Sequence, residues 1–197
     1  MSVFKLGLTG SIGMGKSTTA QMFQEAGCAL WDADAAVHRL YAPGGLAVSA
    51  IVRAFPQLSG QTEISRSALR SIIAQDQSAL TKIEAIVHPL VAQDRADFLN
   101  QQTKGIVVLD NPLLFETGGE TKVDAVACVD VSTQLQEERV LARGTMTKEE
   151  FVRFRDKQMQ NSEKVARSDY VIITDTLDHA RRQVHDVLAD IRGRMNA

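Results

Sequence analysis

Eight residues near the start of the chain, Gly10-Ser11-Ile12-Gly13-Met14-Gly15-Lys16-Ser17, constrain its fold more than any other feature. They match GxxxxGK[ST], the P-loop, a pattern that chains of this size meet by chance roughly once in 100 sequences. An apolar run from Val3 to Thr9 precedes them and an amphipathic stretch from Lys16 to Ala26 follows. Glycines let successive main-chain amides turn inward as a nest for phosphate oxygens, reinforced by the positive end of the next helix. The cradle expected for a triphosphate is therefore Gly13, Met14, Gly15, Lys16, Ser17 and Thr18, with Lys16 charging the outer phosphates and Ser17 ligating magnesium. The alternative is a glycine-rich turn that binds nothing. A dinucleotide fingerprint fails on spacing, because Thr18 stands where a third glycine is needed.

Short apolar runs alternate with longer amphipathic stretches along the whole chain, the pattern of βα units around a parallel sheet. Five runs qualify: Val3 to Thr9, Ala29 to Trp31, Ile106 to Leu109, Ala125 to Val131 and Tyr170 to Ile173. Most are continuously hydrophobic, as in strands covered on both faces. The first helix is expected to stop at Gly27, and Asp178 to cap a last helix with a buried stripe of Ala180, Val184, Val187, Leu188 and Ile191. About 70 residues separate the second and third strands, too many for one crossover helix, so a helical insertion is expected there. Within it Pro89 is expected to kink or end a helix near His88. Residues 134 to 168 read as a charged, movable helical hairpin without a large apolar face. Its second helix opens on the capping box Thr147 and Glu150.

Composition narrows the function class. The 197 residues are 44% hydrophobic and 23% charged, with 22 basic against 24 acidic side chains and a net charge of -2. That balance supplies one sizeable core and argues against a protein that coats nucleic acid or an anionic membrane face. No run of about 18 apolar residues exists, and the N-terminus lacks the form of a signal peptide. A cytoplasmic location without membrane partners is expected. Cys28 and Cys128, far apart and outside any metal-ligand spacing, read as buried thiols.

Three further groups bear on chemistry. Asp32-Ala33-Asp34 follows the second strand, where an acid can reach a nucleotide at the sheet rim or cap the next helix. Asp110 ends the strand Val107-Val108-Leu109, the form of a Walker B segment. It either holds magnesium or caps the turn begun by Asn111-Pro112. Arg139 and Arg143 share one helix face in the hairpin, suited to charge on a transferring phosphoryl group or to pairing with Glu137 or Glu138. The histidines at 38, 88, 179 and 185 have no metal-binding spacing.

As a set, these motifs resemble the dephospho-coenzyme A kinase family. The likeness runs nearly end to end: Gly7-Leu8-Thr9-Gly10 with the P-loop, Asp32-Ala33-Asp34, Pro43-Gly44, Arg66 with Leu69, His88-Pro89, Pro112-Leu113-Leu114-Phe115-Glu116, Gln136 through Arg143, and Lys157-Gln158. The resemblance implies an α/β P-loop NTPase fold of the nucleotide-kinase kind, with a five-stranded parallel sheet, a helical substrate-binding insertion and a helical lid. The expected subregions are a core of residues 1–36, 106–133 and 169–197, a substrate region of 37–105 and a lid of 134–168. It further implies transfer of the γ-phosphate of ATP, with magnesium, to the ribose 3'-hydroxyl of dephospho-coenzyme A. Asp34 would act on that hydroxyl, Arg143 first and Arg139 second would contact the phosphates, and Arg66, His88, Pro112, Leu113 and Leu114 would meet the acceptor.

Departures from the family pattern are Asn111, Phe55-Pro56 and Thr174-Asp175. Rival readings are a nucleoside or nucleotide kinase and a nucleotide-dependent regulatory module; the chain has no NKxD guanine-specificity sequence.

Overall fold

The computed structural model describes residues 3–156 and 158–196, so Lys157 lies outside the described residues. The chain forms two compact units, Met1–Trp31 with Gln102–Ala197, and Asp32–Gln101. Five strands form a parallel sheet: β1 (Val3–Thr9), β2 (Ala29–Asp32), β3 (Gly105–Asp110), β4 (Ala125–Asp130) and β5 (Tyr170–Ile173). Their order is β2-β3-β1-β4-β5. All five runs expected from the sequence are strands, with ends shifted by at most one residue.

Register positions the site. Leu8 lies opposite Asp110, Thr9 opposite Cys128 and Asp130 opposite Ile173, so the carboxyl ends of β1, β3, β4 and β5 share one rim. Ligands of open α/β sheets bind outside that rim. Alternate residues serve opposite faces. Leu6, Leu8, Val108, Ala127 and Val129 pack with Phe23 of α1 (Lys16–Glu25) and with Val184, Leu188 and Ile191 of α9 (Leu177–Asn196). On the other face Val126 packs with Leu114 and Phe115. Burial on both sides is why β3 and β4 are almost continuously apolar.

Some expectations of the sequence need correction. Thr176, not Asp178, caps α9, its hydroxyl accepting from the His179 amide at 3.2 Å. The expected hairpin is three helices: α6 (Thr133–Ala142), α7 (Lys148–Asp156) and α8 (Asn161–Ala166). It also buries apolar side chains, since Val140 and Phe151 are almost fully enclosed. The capping box forms as read, with Thr147 and Glu150 exchanging bonds of 2.8 and 3.2 Å.

The second unit holds α2 (Ala33–Tyr41), α3 (Val48–Ala54), α4 (Arg66–Gln75) and α5 (Ser78–Asn100) around Leu40, Ile51, Phe55, Leu69, Ile83 and Val87. Pro89 does not end α5, which continues for eleven residues beyond it. Leu90 and Val91 pack on the core just past the proline, and Asp94 forms a two-pronged pair with Arg39 of α2 at 2.7 and 3.2 Å. Those contacts offset the main-chain hydrogen bond that proline cannot donate.

Candidate active site

The turn from β1 into α1 has the backbone that a phosphate nest needs. Gly15 sits in the left-handed region at φ 86°, and a Cβ there would come within 3.0 Å of the Thr174 hydroxyl. Gly13, at φ 79°, leaves no room for a Cβ because Val140 of α6 presses against it. Helix α1 starts without a side-chain cap. The amides of Gly15, Lys16, Ser17 and Thr18 donate no hydrogen bond among the described residues. Four free donors at the positive end of a helix form a site for a polyanion.

The loop is braced from three sides. Gln136 of α6, only 2% exposed, donates to the Ile12 carbonyl at 2.8 Å. The Thr174 hydroxyl, just past β5, donates to the Met14 carbonyl at 2.8 Å. Arg139 grips Thr174 in turn, at 3.1 Å to the hydroxyl and 2.6 Å to the carbonyl. Asn161 of α8 accepts from the Ser11 amide at 3.0 Å while donating to Val129 and Asp130 at the end of β4. Each brace takes a group other than the amides of Gly15 to Thr18, so the nest keeps its donors while the loop is held.

Lys16 meets Asp110 at 2.5 Å, the two side chains 15% and 2% exposed. The acid ending β3 thus holds the P-loop lysine at the rim. Ser17 is exposed in the first turn of α1. Its hydroxyl and the Asp110 carboxylate are hard oxygen donors of the kind magnesium takes, so the donor set fits that ion. Among the described residues no cluster of three or more His, Cys, Asp or Glu could hold a metal.

The turn after β3 is a second feature of this unit. Asn111 continues the sheet, its amide donating to the Leu8 carbonyl at 3.0 Å, and its side chain accepts from the Leu113 amide at 3.0 Å. Leu114 is buried while Leu113 is exposed. The Pro112 carbonyl accepts from the Lys164 ammonium at 2.7 Å and from the Thr9 hydroxyl at 3.4 Å. Arg143, at the end of α6, is exposed, and its side chain has no hydrogen bond or ion pair among the described residues. Glu137 pairs instead with Lys148 and Glu138 with Gln134.

In the helical unit the two neighbouring acids separate in role. Asp32 caps α2, accepting from the Ala35 amide at 2.8 Å. Asp34 is exposed, and its carboxylate takes no partner among the described residues. Arg66 reaches the main-chain carbonyl of Asp34 at 3.3 Å, leaving the acid free. Arg66 also lies close enough to Tyr41 to oppose the upward push that burial gives its phenol. His88 is exposed on α5 without a partner among the described residues.

Sequence reasoning missed the braces Thr174, Asn161 and Lys164. Thr174 stood out only as a departure from a pattern. Asn161 and Lys164 lie in a short polar helix, and no spacing rule separates them from solvated neighbours.

Residues 4–178 match the family model described as dephospho-CoA kinase. A dephospho-CoA kinase of Ruegeria pomeroyi is 63% identical over 189 residues, covering 96% of both chains. One of Cereibacter sphaeroides is 50% identical over 192 residues, covering 98% of both. A crystal structure of a Thermus thermophilus protein superposes with a TM-score of 0.84 at 30% identity, covering 96% of this chain and 98% of its own.

Proposed function

The chain belongs to the dephospho-CoA kinase family, and from that membership we propose how its residues share the transfer of the ATP γ-phosphate to the ribose 3'-hydroxyl of dephospho-coenzyme A. The observation that carries the reading is the row of free amides from Gly15 to Thr18, beside a lysine already held at the rim. The loop from Gly13 to Thr18 receives the triphosphate, and Lys16 turns from Asp110 toward the outer phosphates. Ser17 and Asp110 would hold magnesium, which neutralises charge on the outer phosphates when bound.

Asp34 orients the acceptor hydroxyl and takes its proton. Its availability supports this role, since Asp32 has taken the helix cap. Phosphoryl transfer has a loose transition state, so placement and charge supply most of the acceleration, and the base adds the lesser part. Arg143 spreads its charge over the transferring group. Arg139, engaged with Thr174, steadies the loop. Arg66, His88 and the Pro112-Leu113-Leu114 turn receive the acceptor, with Leu113 offering exposed apolar surface. A cytoplasmic setting accords with this reading, and no helix among the described residues is long and apolar enough to cross a membrane.

An assay of ADP release with dephospho-coenzyme A, with nucleoside monophosphates and with no acceptor tests the proposal. Release only with dephospho-coenzyme A is expected. Equal release with a monophosphate would assign the acceptor site to a smaller substrate.

A further inference from the structure

Helix α8 is six residues long, polar in sequence, and attached at two points to loops that are distant from each other along the chain. At its first residue Asn161 holds the Ser11 amide, the entry to the P-loop, at 3.0 Å. One turn on, Lys164 is completely enclosed, an unusual state for a lysine. Its ammonium donates to the Pro112 carbonyl at 2.7 Å and pairs with Glu116 at 2.8 Å, so it grips both ends of the turn from 112 to 116. Further contacts close the frame. The Asn161 amide group is tied to the end of β4, the Glu116 carboxylate accepts from the Met159 amide just before α8, and Arg167 lies over the Phe115 ring at 4.5 Å.

We propose that α8 is a strut in which Asn161 and Lys164 are positioning residues, setting the phosphate loop and the Pro112–Glu116 turn in a fixed relation. The turn's link to the acceptor rests on the function proposed above; the strut itself rests on the contacts just given. Neither side chain touches a reacting atom. A buried ammonium suits this task because its bonds are directional and because moving it would strip it of partners in a dry setting. A plain apolar contact would permit sliding.

The strut makes a demand that two separate packing contacts do not. Among the described residues Lys164 makes no hydrogen bond or ion pair with the P-loop, yet disturbing it must be felt at Ser11. In Lys164→Met the amide resonance of Ser11 is expected to move in an NMR spectrum of the ligand-free protein. Asn161→Ser and Lys164→Met are each expected to lower kcat about tenfold. The double variant should be about as slow as the worse single one, because cutting either end releases the same element. A double variant about 100-fold slow, the product of two independent losses, overturns the strut. So does an unmoved Ser11 resonance, or a kcat within about twofold of the parent in both single variants.

Where Lys164→Met fails to fold, Glu116→Gln loosens the same grip from its more exposed end and takes its place in the cycle. Leu113→Ala separates the strut from the acceptor reading. An unchanged KM for dephospho-coenzyme A in that variant removes the turn from the acceptor site and leaves the coupling of Ser11 to Lys164 standing.

Discussion

Around the phosphate loop, Ser11, Ile12 and Met14 are each tied down by a side chain from another element, Asn161, Gln136 and Thr174. In the helical unit, Asp34, Arg66 and His88 are exposed, and the one bond among them is from Arg66 to the main chain of Asp34. The contrast follows from what each must bind. A triphosphate presents the same closely spaced charges every time, so donors fixed in advance lose little freedom on binding it. Under the function proposed above, an acceptor with a long flexible arm would be met by side chains that still have freedom to lose. The phosphate loop is thus held by side chains from other parts of its unit, whereas the exposed side chains of the helical unit are held by few bonds.

The largest effect should break the prepared half. Lys16→Ala is expected to lower turnover about 10³-fold with the circular dichroism spectrum retained. Near-normal turnover in the folded variant would remove the P-loop lysine from the reaction. Asp34→Asn probes the other half, with a kcat about 10²-fold lower and ATP affinity held within a few-fold. A loss confined to ATP affinity would make Asp34 a binding residue. Arg143→Ala is expected to cost about 10-fold to 10²-fold in kcat with little change in thermal stability, because its side chain has no partner to lose among the described residues. Asp32→Ala sharpens the comparison of neighbouring acids: about 1 kcal/mol of stability should go with the cap, read by denaturant melts, while kcat changes much less than in Asp34→Asn.

The smallest effect concerns the thiols. Burial pushes Cys28 up to about 11 and Cys128 up to about 12. Both stay protonated in the native state at pH 8, so iodoacetamide should label neither there and both in denaturant. Their folded values are raised, so their contribution to stability is whole below the unfolded value near 9.0 and is lost as pH climbs toward 11 and 12. A melting temperature that stays level from pH 8 to pH 11 would contradict that burial.

Elements whose signal is local are legible in the residues themselves. The strand runs, the loop with its demand for glycine, and the Thr147 and Glu150 capping box are all written within a few consecutive positions. Pro89 misleads for the same reason. Its local preference is to end a helix, but Leu90, Val91 and Asp94 find partners on other elements that hold the next three turns in place. The candidate site divides in the same way. Lys16 and Ser17 belong to a contiguous motif, whereas Asn161 and Lys164 acquire their roles from residues about 150 and 50 positions away.

What the sequence determined by itself is the phosphate loop, the alternating strand and helix plan and the family, because each depends on short-range periodicity, backbone freedom at glycine or motifs read along the chain. Only the tertiary structure decided that Asp32 is the cap and Asp34 the free acid, that Asp110 holds Lys16, and that a buried lysine grips both ends of the turn after β3. Those assignments depend on which polar groups lose water and which partners replace it, and that is settled when distant segments pack together.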